Sequence, residues 1–278
     1  MNLTTTTRYK AYMGLTGTSL DALIAVLLPQ VSDQVQRYLR RGLELTTRKA
    51  WLDGQGGPIL RLENWPVLAV HQVSIGRATV ARIENTSTAT RATVSFDGVN
   101  LVLLSVSNAG VESITELPVA MYKVMSTLKT AVDAVSGWSM TLSSADYANE
   151  PTAHLRPIYA QDALSSSTAD LEVPDDYEAV KTISDDCLVR ADGGDFPLGD
   201  KNIFVWYKAG YTLPTDGSDG TMPPGLELLV MQILQDVISG RGRSADLQSE
   251  SLGDYSYSRG QIASVIESRK KDLAQFRK

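Results

Sequence analysis

Enzyme chemistry needs a nucleophile, an acid–base pair or a set of ligands, and this chain offers few of them. Its two histidines, His71 and His154, and its one cysteine, Cys187, come first. His71 falls on a strand-like run, and neither histidine is accompanied by a serine or cysteine in an elbow motif, so no nucleophile triad is expected. Cys187 opens a strand and reads as a small buried hydrophobe rather than a reactive thiol. Asp192 and Asp195 in DGGD, and Asp216 and Asp219 in DGSDG, resemble calcium loops, yet neither repeats the EF-hand spacing and both read as solvated turns. The glycine-rich DGQGG at 53–57 is followed by no Lys-Ser or Lys-Thr and opens no helix, which makes it a hairpin turn rather than a phosphate cradle. Phe204, Trp206, Tyr207 and Tyr211 would suit base stacking, but Lys208 is the lone cation beside them and a sheet core accounts for them better. The expectation is a protein that is not an enzyme, with no catalytic residue, cofactor or metal.

The elements that hold these residues are organised around 203–258. The strand IFVWYKAGY ends on Gly210 and Tyr211, and PTDGSDGTMPPG is dense enough in turn formers to take the chain out of a sheet. Pro224 then suits a first helical position, and LELLVMQILQDVISG sets Leu226, Leu229, Val230, Ile233 and Val237 on one face. Leu228, Met231, Leu234 and Ile238 widen that face beyond an ordinary stripe, so they are the candidate subunit-packing residues. The linker 241–260 is polar and Ser-rich, and a basic helix is expected from Gln261 to about Lys278.

Toward the N-terminus, residues 1–17 read as a Thr-rich arm. Thr18 and Asp21 have the form of a capping box for a helix that keeps apolar spacing to Leu39, is closed by Gly42, and is kinked or split at Pro29. Short strands follow to Ile75. Beyond Arg77, TVSFDGVNLVLLSV is a hairpin across Asp97 and Gly98, VESITELPV a third strand, MYKVMSTLKTAVDAVSG a helix and WSMTL a strand. From Ser143 to the DLEVPDD run the chain reads as an irregular acidic loop.

The 278 residues suffice for two domains with their own cores, and 43% hydrophobic with 21% charged residues is a globular balance. The N-terminus has no signal-peptide order, and the longest apolar run is too short to span a bilayer, so a soluble protein compatible with the cytoplasm and with no membrane partner is expected. The net charge of −6 is uneven: 145–219 carries 15 acids and 5 bases, whereas 259–278 carries 6 bases and 2 acids. An acidic chain of this kind is a poor candidate for a broad grip on duplex DNA, while its basic tail can seek an acidic partner.

Taken in order, the amphipathic N-terminal helix, the strand IFVWYKAGY, the helix PPGLELLVMQILQDVISGR and the SLGDYSYS loop before a basic segment resemble the head-tail connector or adaptor proteins of long-tailed double-stranded-DNA phages. The resemblance covers about 10–76 and 185–278. It implies an α+β fold: a helical adaptor core of N-terminal, central and C-terminal helices with a small antiparallel sheet, plus an inserted α+β domain. On that division 1–76 and 185–278 form the discontinuous core, 77–184 the insertion with its acidic loop, and 259–278 a basic docking segment. The implied function is a ring of about a dozen copies beneath the portal, in the virion neck, joining the capsid vertex to the tail and lining the DNA channel. Its partners would be the portal protein, a tail or stopper protein, other copies of the chain, and double-stranded DNA passing without specific contact. The candidate portal or subunit interface is Leu252, Tyr255, Tyr257, Ile262, Ile266, Arg269, Lys270, Lys271, Phe276, Arg277 and Lys278. The competing reading is a virion module that binds host surfaces or carbohydrate through the insertion.

Overall fold

A computed structural model of the chain describes residues 2–164, 167–245 and 262–277. They form two compact units, one of 1–46, 63–68 and 209–278 and the other of 47–62 and 69–208.

The first unit holds α1 (Thr6–Met13), α2 (Asp21–Leu39), α4 (Pro224–Ala245) and helical residues at 262–268 and Lys270–Ala274. The Thr-rich start is a helix rather than an arm. Thr5 Oγ1 accepts the Arg8 N–H at 3.1 Å as an N-cap, and Tyr9 is fully buried. In α2 the sequence signals are met differently. Leu20 occupies the N-cap with no side-chain bond, and Asp21 instead pairs with Lys10 at 2.7 Å. The helix runs unbroken through Pro29 and closes on Arg40 at φ 56°, not on Gly42. Its Ile24, Leu27, Leu28, Val31 and Val35 meet Leu226, Val230, Ile233, Leu234 and Val237 of α4 in a single core. Burial of this apolar area, worth about 25 cal/mol per Å², is what holds the helices together.

The second unit contains the sheets, apart from a few strand-end residues. One is ordered β1 (Thr46–Gly54), β12 (Gly199–Ala209), β3 (Val67–Asn85), β7 (Trp138–Leu142), with β9 (Ala169–Tyr177) also on β3. A four-stranded sheet is ordered β6 (Glu112–Pro118), β5 (Asn100–Val106), β4 (Arg91–Phe96), β8 (Ile158–Asp162), and a three-stranded one β10 (Val180–Ser184), β11 (Cys187–Arg190), β2 (Ile59–Arg61). The β4–β5 hairpin turns where Asp97 and Gly98 predict it, Asp97 Oδ1 accepting the Val99 and Asn100 N–H groups at 2.8 and 2.7 Å. Helix α3 (Met125–Asp133) buries Met125, Leu128 and Val132 in a core with β3, β4, β5, β7 and β9.

The expected fold class does not survive. The chain is mostly antiparallel sheet, 38% strand against 30% helix, and not a helical adaptor core with a small sheet. Three stretches account for the difference. Strand β3 runs 19 residues, straight through Arg77. The acidic segment 143–176, expected to be a loop, supplies β8 and most of β9, with Ala169, Leu171 and Val173 buried on alternate positions of β9 while Asp175 and Asp176 face solvent. Third, β1 and β2 do not pair across 53–57: β1 joins β12 and β2 joins β11. Residues 185–208, placed with the core on sequence grounds, lie in the second unit.

Candidate functional site

In the first unit, α4 and the C-terminal segment carry the residues singled out for assembly. Leu234 is fully buried in the chain's own core, Met231 and Ile238 are half-buried beside it, and Leu228 is 38% exposed. Ile262 and Ile266 are buried in that core with Leu273, and Phe276 packs against it. Arg269 Nη2 donates to Asp236 Oδ2 at 2.8 Å, a bond that raises the guanidinium pKa. Lys270 pairs with Glu267, and the Arg277 guanidinium lies 5.4 Å from the Tyr38 ring centroid. Lys270, Lys271 and Arg277 are exposed. Leu252, Tyr255, Tyr257 and Lys278 lie outside the described residues, as does most of the linker 241–260.

A buried arginine ties the C-terminal segment to the rest of this unit. Arg41 stacks on Trp65 with 3.1 Å from guanidinium carbon to ring centroid, and donates to the carbonyls of Trp65 at 2.5 Å and Phe276 at 3.2 Å. Its burial lowers the pKa, against which Tyr211 acts.

In the second unit the aromatic residues of β1, β3 and β12 form one ladder. Trp51 meets Phe204 edge-on at 5.4 Å, His154 meets Phe204 at 5.4 Å, and His71 lies 5.3 Å from Trp206. Alternation along β12 produces this: Phe204 and Trp206 share one face, while Ile203, Val205 and Tyr207 are buried on the other. Both histidines are thus packed against rings. His154 Nδ1 lies 2.8 Å from Glu150 Oε1, and its carbonyl accepts the Trp51 indole N–H at 3.1 Å. Cys187 is buried on β11.

Beside the ladder opens a cavity of about 640 Å³, walled by Trp51, Phe96, Leu155 and Phe204 and rimmed by Lys49, Asp97, Arg156, Tyr159, Asp200 and Lys201. Arg156 is fixed by Glu172 at 2.8 Å and Asp200 at 2.7 Å. The Lys201 N–H donates to Asp53 at 2.9 Å and holds that carboxyl below its usual range. Asp97 is lowered by the Asn100 and Val99 N–H groups. Lys49 lies over Trp206 at 4.6 Å, and burial lowers its pKa against the opposing charge of Glu150. These polar residues come from four separated stretches, so no local motif in the sequence reveals them.

The aspartates of the glycine turns have protein partners. Asp192 binds Arg190 at 2.9 Å, Asp219 binds Arg8 at 2.7 Å, and Asp216 accepts from Thr5 and Thr7. Among the described residues no group of three His, Cys, Asp or Glu side chains is placed to hold a metal, and no helix is long and apolar enough to cross a membrane.

Among the described residues no reacting constellation is assembled, and comparison with known proteins adds a separate observation. Residues 2–135 match the family model of the Head completion protein. The match spans just under half of the chain and is consistent with a phage head-tail connector family. Head completion proteins are a structural phage family. The matched stretch includes α1, α2, the β4–β5 hairpin and α3, and therefore samples both units. No curated protein matches the chain.

Proposed function

We propose that the chain is a head-tail adaptor that assembles as a ring of about a dozen copies beneath the portal, joins the capsid vertex to the tail and lines the DNA channel. The observation that carries this reading is the Head completion match over 2–135. Three features support it. The face of α4 continues past the chain's own core to Leu228, which leaves apolar surface for a neighbouring copy. Lys270, Lys271 and Arg277 remain exposed on the basic C-terminal segment, where they can meet an acidic portal surface. Asp185 and Asp195 are exposed in acidic turns, and a channel lined with carboxylates repels phosphate so that DNA slides past. The partners on this reading are the portal protein, a tail or stopper protein and other copies of the chain, in the virion neck.

The test is negative-stain imaging and native mass of the purified chain, alone and with portal complexes. A closed ring is expected on the portal, and a Lys270→Glu/Lys271→Glu/Arg277→Glu chain is expected to lose attachment at least tenfold. Truncation is the wrong experiment, since Ile262, Ile266 and Leu273 belong to the core. A chain that stays single with portal present refutes the ring, and full attachment of the triple variant refutes the docking role of the basic segment.

A further inference from the structure

The cavity of the second unit is built as a receptor. Among the described non-glycine residues only Arg40, Ala160 and Lys201 have positive φ. Arg40 is a helix cap, whereas Lys201 (φ 44°) is on the cavity rim and Ala160 (φ 46°) lies between the lining residues Tyr159 and Gln161. Each is pinned by a bond from its own N–H, Lys201 to Asp53 and Ala160 to Ser95 Oγ at 2.8 Å. Left-handed backbone at non-glycine positions is strained and concentrates where a site is held in shape. Gln161 lines the cavity as well, and its Oε1 has no hydrogen-bond partner among the described residues. The remaining cations of the rim are engaged, Arg156 with two carboxylates and Lys201 with Asp53 at 3.3 Å. Lys49 makes no ion pair among the described residues, though it sits on Trp206 at the edge of an aromatic wall. Such a site fits a carboxylate next to an aromatic ring.

The chain itself carries that combination. Asp175, Asp176 and Tyr177 end β9, Tyr177 is 80% exposed, and neither aspartate has an ion-pair partner among the described residues. Pairing of Tyr177 with Ser74 and of Asp176 with Ile75 on β3 fixes the backbone of this corner, so little ordering entropy is lost when it docks. We propose that the cavity receives the Asp175–Asp176–Tyr177 corner of a second copy, a carboxylate meeting Lys49 and the Tyr177 ring meeting the wall of Trp51 and Phe204. Cavity and corner are different patches, so the contact is head-to-tail, the kind that closes into a ring. The inference rests on the ring reading above and names a contact that would build it.

The test uses the full chain with Tyr177→Ala, whose cavity no neighbour can fill, titrated with a synthetic peptide of residues 172–179. Trp51 and Trp206 report the binding by fluorescence. A saturable change is expected. Adding Lys49→Glu weakens it at least tenfold, and a peptide with both aspartates changed to lysine regains affinity for that variant. No saturable change overturns the site, as does equal binding after Lys49→Glu. Binding of free glucuronate with none of the peptide overturns it in favour of a saccharide pocket. Native mass separates this from the ring itself. A ring that persists in Lys49→Glu removes this contact and leaves the ring reading standing, while peptide binding by a chain that forms no ring, alone or on the portal, leaves the site and removes the ring.

Discussion

Arg8 grips Glu227 side-on, Nε 2.7 Å from Oε1 and Nη2 2.8 Å from Oε2, across 219 positions of sequence. Thr4 Oγ1 donates to the same carboxylate at 2.7 Å, and Asp219 takes the remaining side of the guanidinium. These bonds raise the Arg8 pKa, with Glu227 the leading cause, and they fasten the N-terminal helix to the first turn of α4.

Removing that carboxylate should be costly. Glu227 is 5% exposed and Arg8 is partly open to solvent, so Glu227→Ala is expected to lose about 2–4 kcal/mol, at or below the range for breaking a buried pair. Glu227→Gln, which keeps the Thr4 bond, should lose less. Urea unfolding midpoints of the two variants against the parent check the order.

Two leucines on α4 should part company. Leu234→Ala, at a fully buried site, is expected to cost about 2–5 kcal/mol of stability, whereas Leu228→Ala, 38% exposed, should stay within about 0.5 kcal/mol. If Leu228 faces a neighbouring copy, its substitution shows instead in the oligomer, as a higher concentration for half-assembly in native mass. Thermal melts paired with that titration separate the two effects.

Acid should weaken the second unit through Asp133. Burial pushes this carboxyl up, but Lys129 and the Met140 N–H, 2.8 Å from Oδ1, outweigh it and hold the pKa below its ordinary value. A depressed folded-state pKa contributes stability that is present above the unfolded value, about 3.9, and is lost as pH falls through the folded one. Melting temperatures between about pH 6 and pH 3 should therefore fall less steeply in Asp133→Asn than in the parent.

Gly210 admits no side chain. Its φ is +111°, and a Cβ there would lie 2.3 Å from the Glu44 carbonyl oxygen, while its N–H donates to Pro66 O at 3.0 Å. Gly210→Ala is expected to cost about 2–3 kcal/mol or to yield insoluble chain. Expression and melting of Gly210→Ala beside Gly217→Ala, where the added Cβ meets nothing within 4 Å, make the comparison.

Local pattern carried part of this fold. The apolar residues of α4 advertised a buried helix, and Asp97 with Gly98 advertised a turn, because period and turn chemistry are properties of neighbouring residues. Thr5, Thr6 and Thr7 concealed α1, since β-branched polar residues weaken helix propensity and only the buried Tyr9 and the Arg8–Glu227 pair make the helix worthwhile. Partner choice was hidden altogether. That β1 takes β12, and β2 takes β11, depends on contacts more than 100 positions apart, and the aspartates of 145–184 masked the alternation in β9. Lys49, Arg156 and Lys201 became a site only once those pairings brought them to one cavity.

The 19-residue β3 has hydrogen-bonded neighbours on both edges, with β9 from Ser74 to Ile83 and β7 from Ala81 to Asn85. Antiparallel bonds stand across the strand, so tension applied along β3 strains them in shear, all together, whereas tension across an edge strand such as β10 opens them one after another. Strand β3 is in this sense a tie-rod, and the direction in which load arrives matters as much as its size.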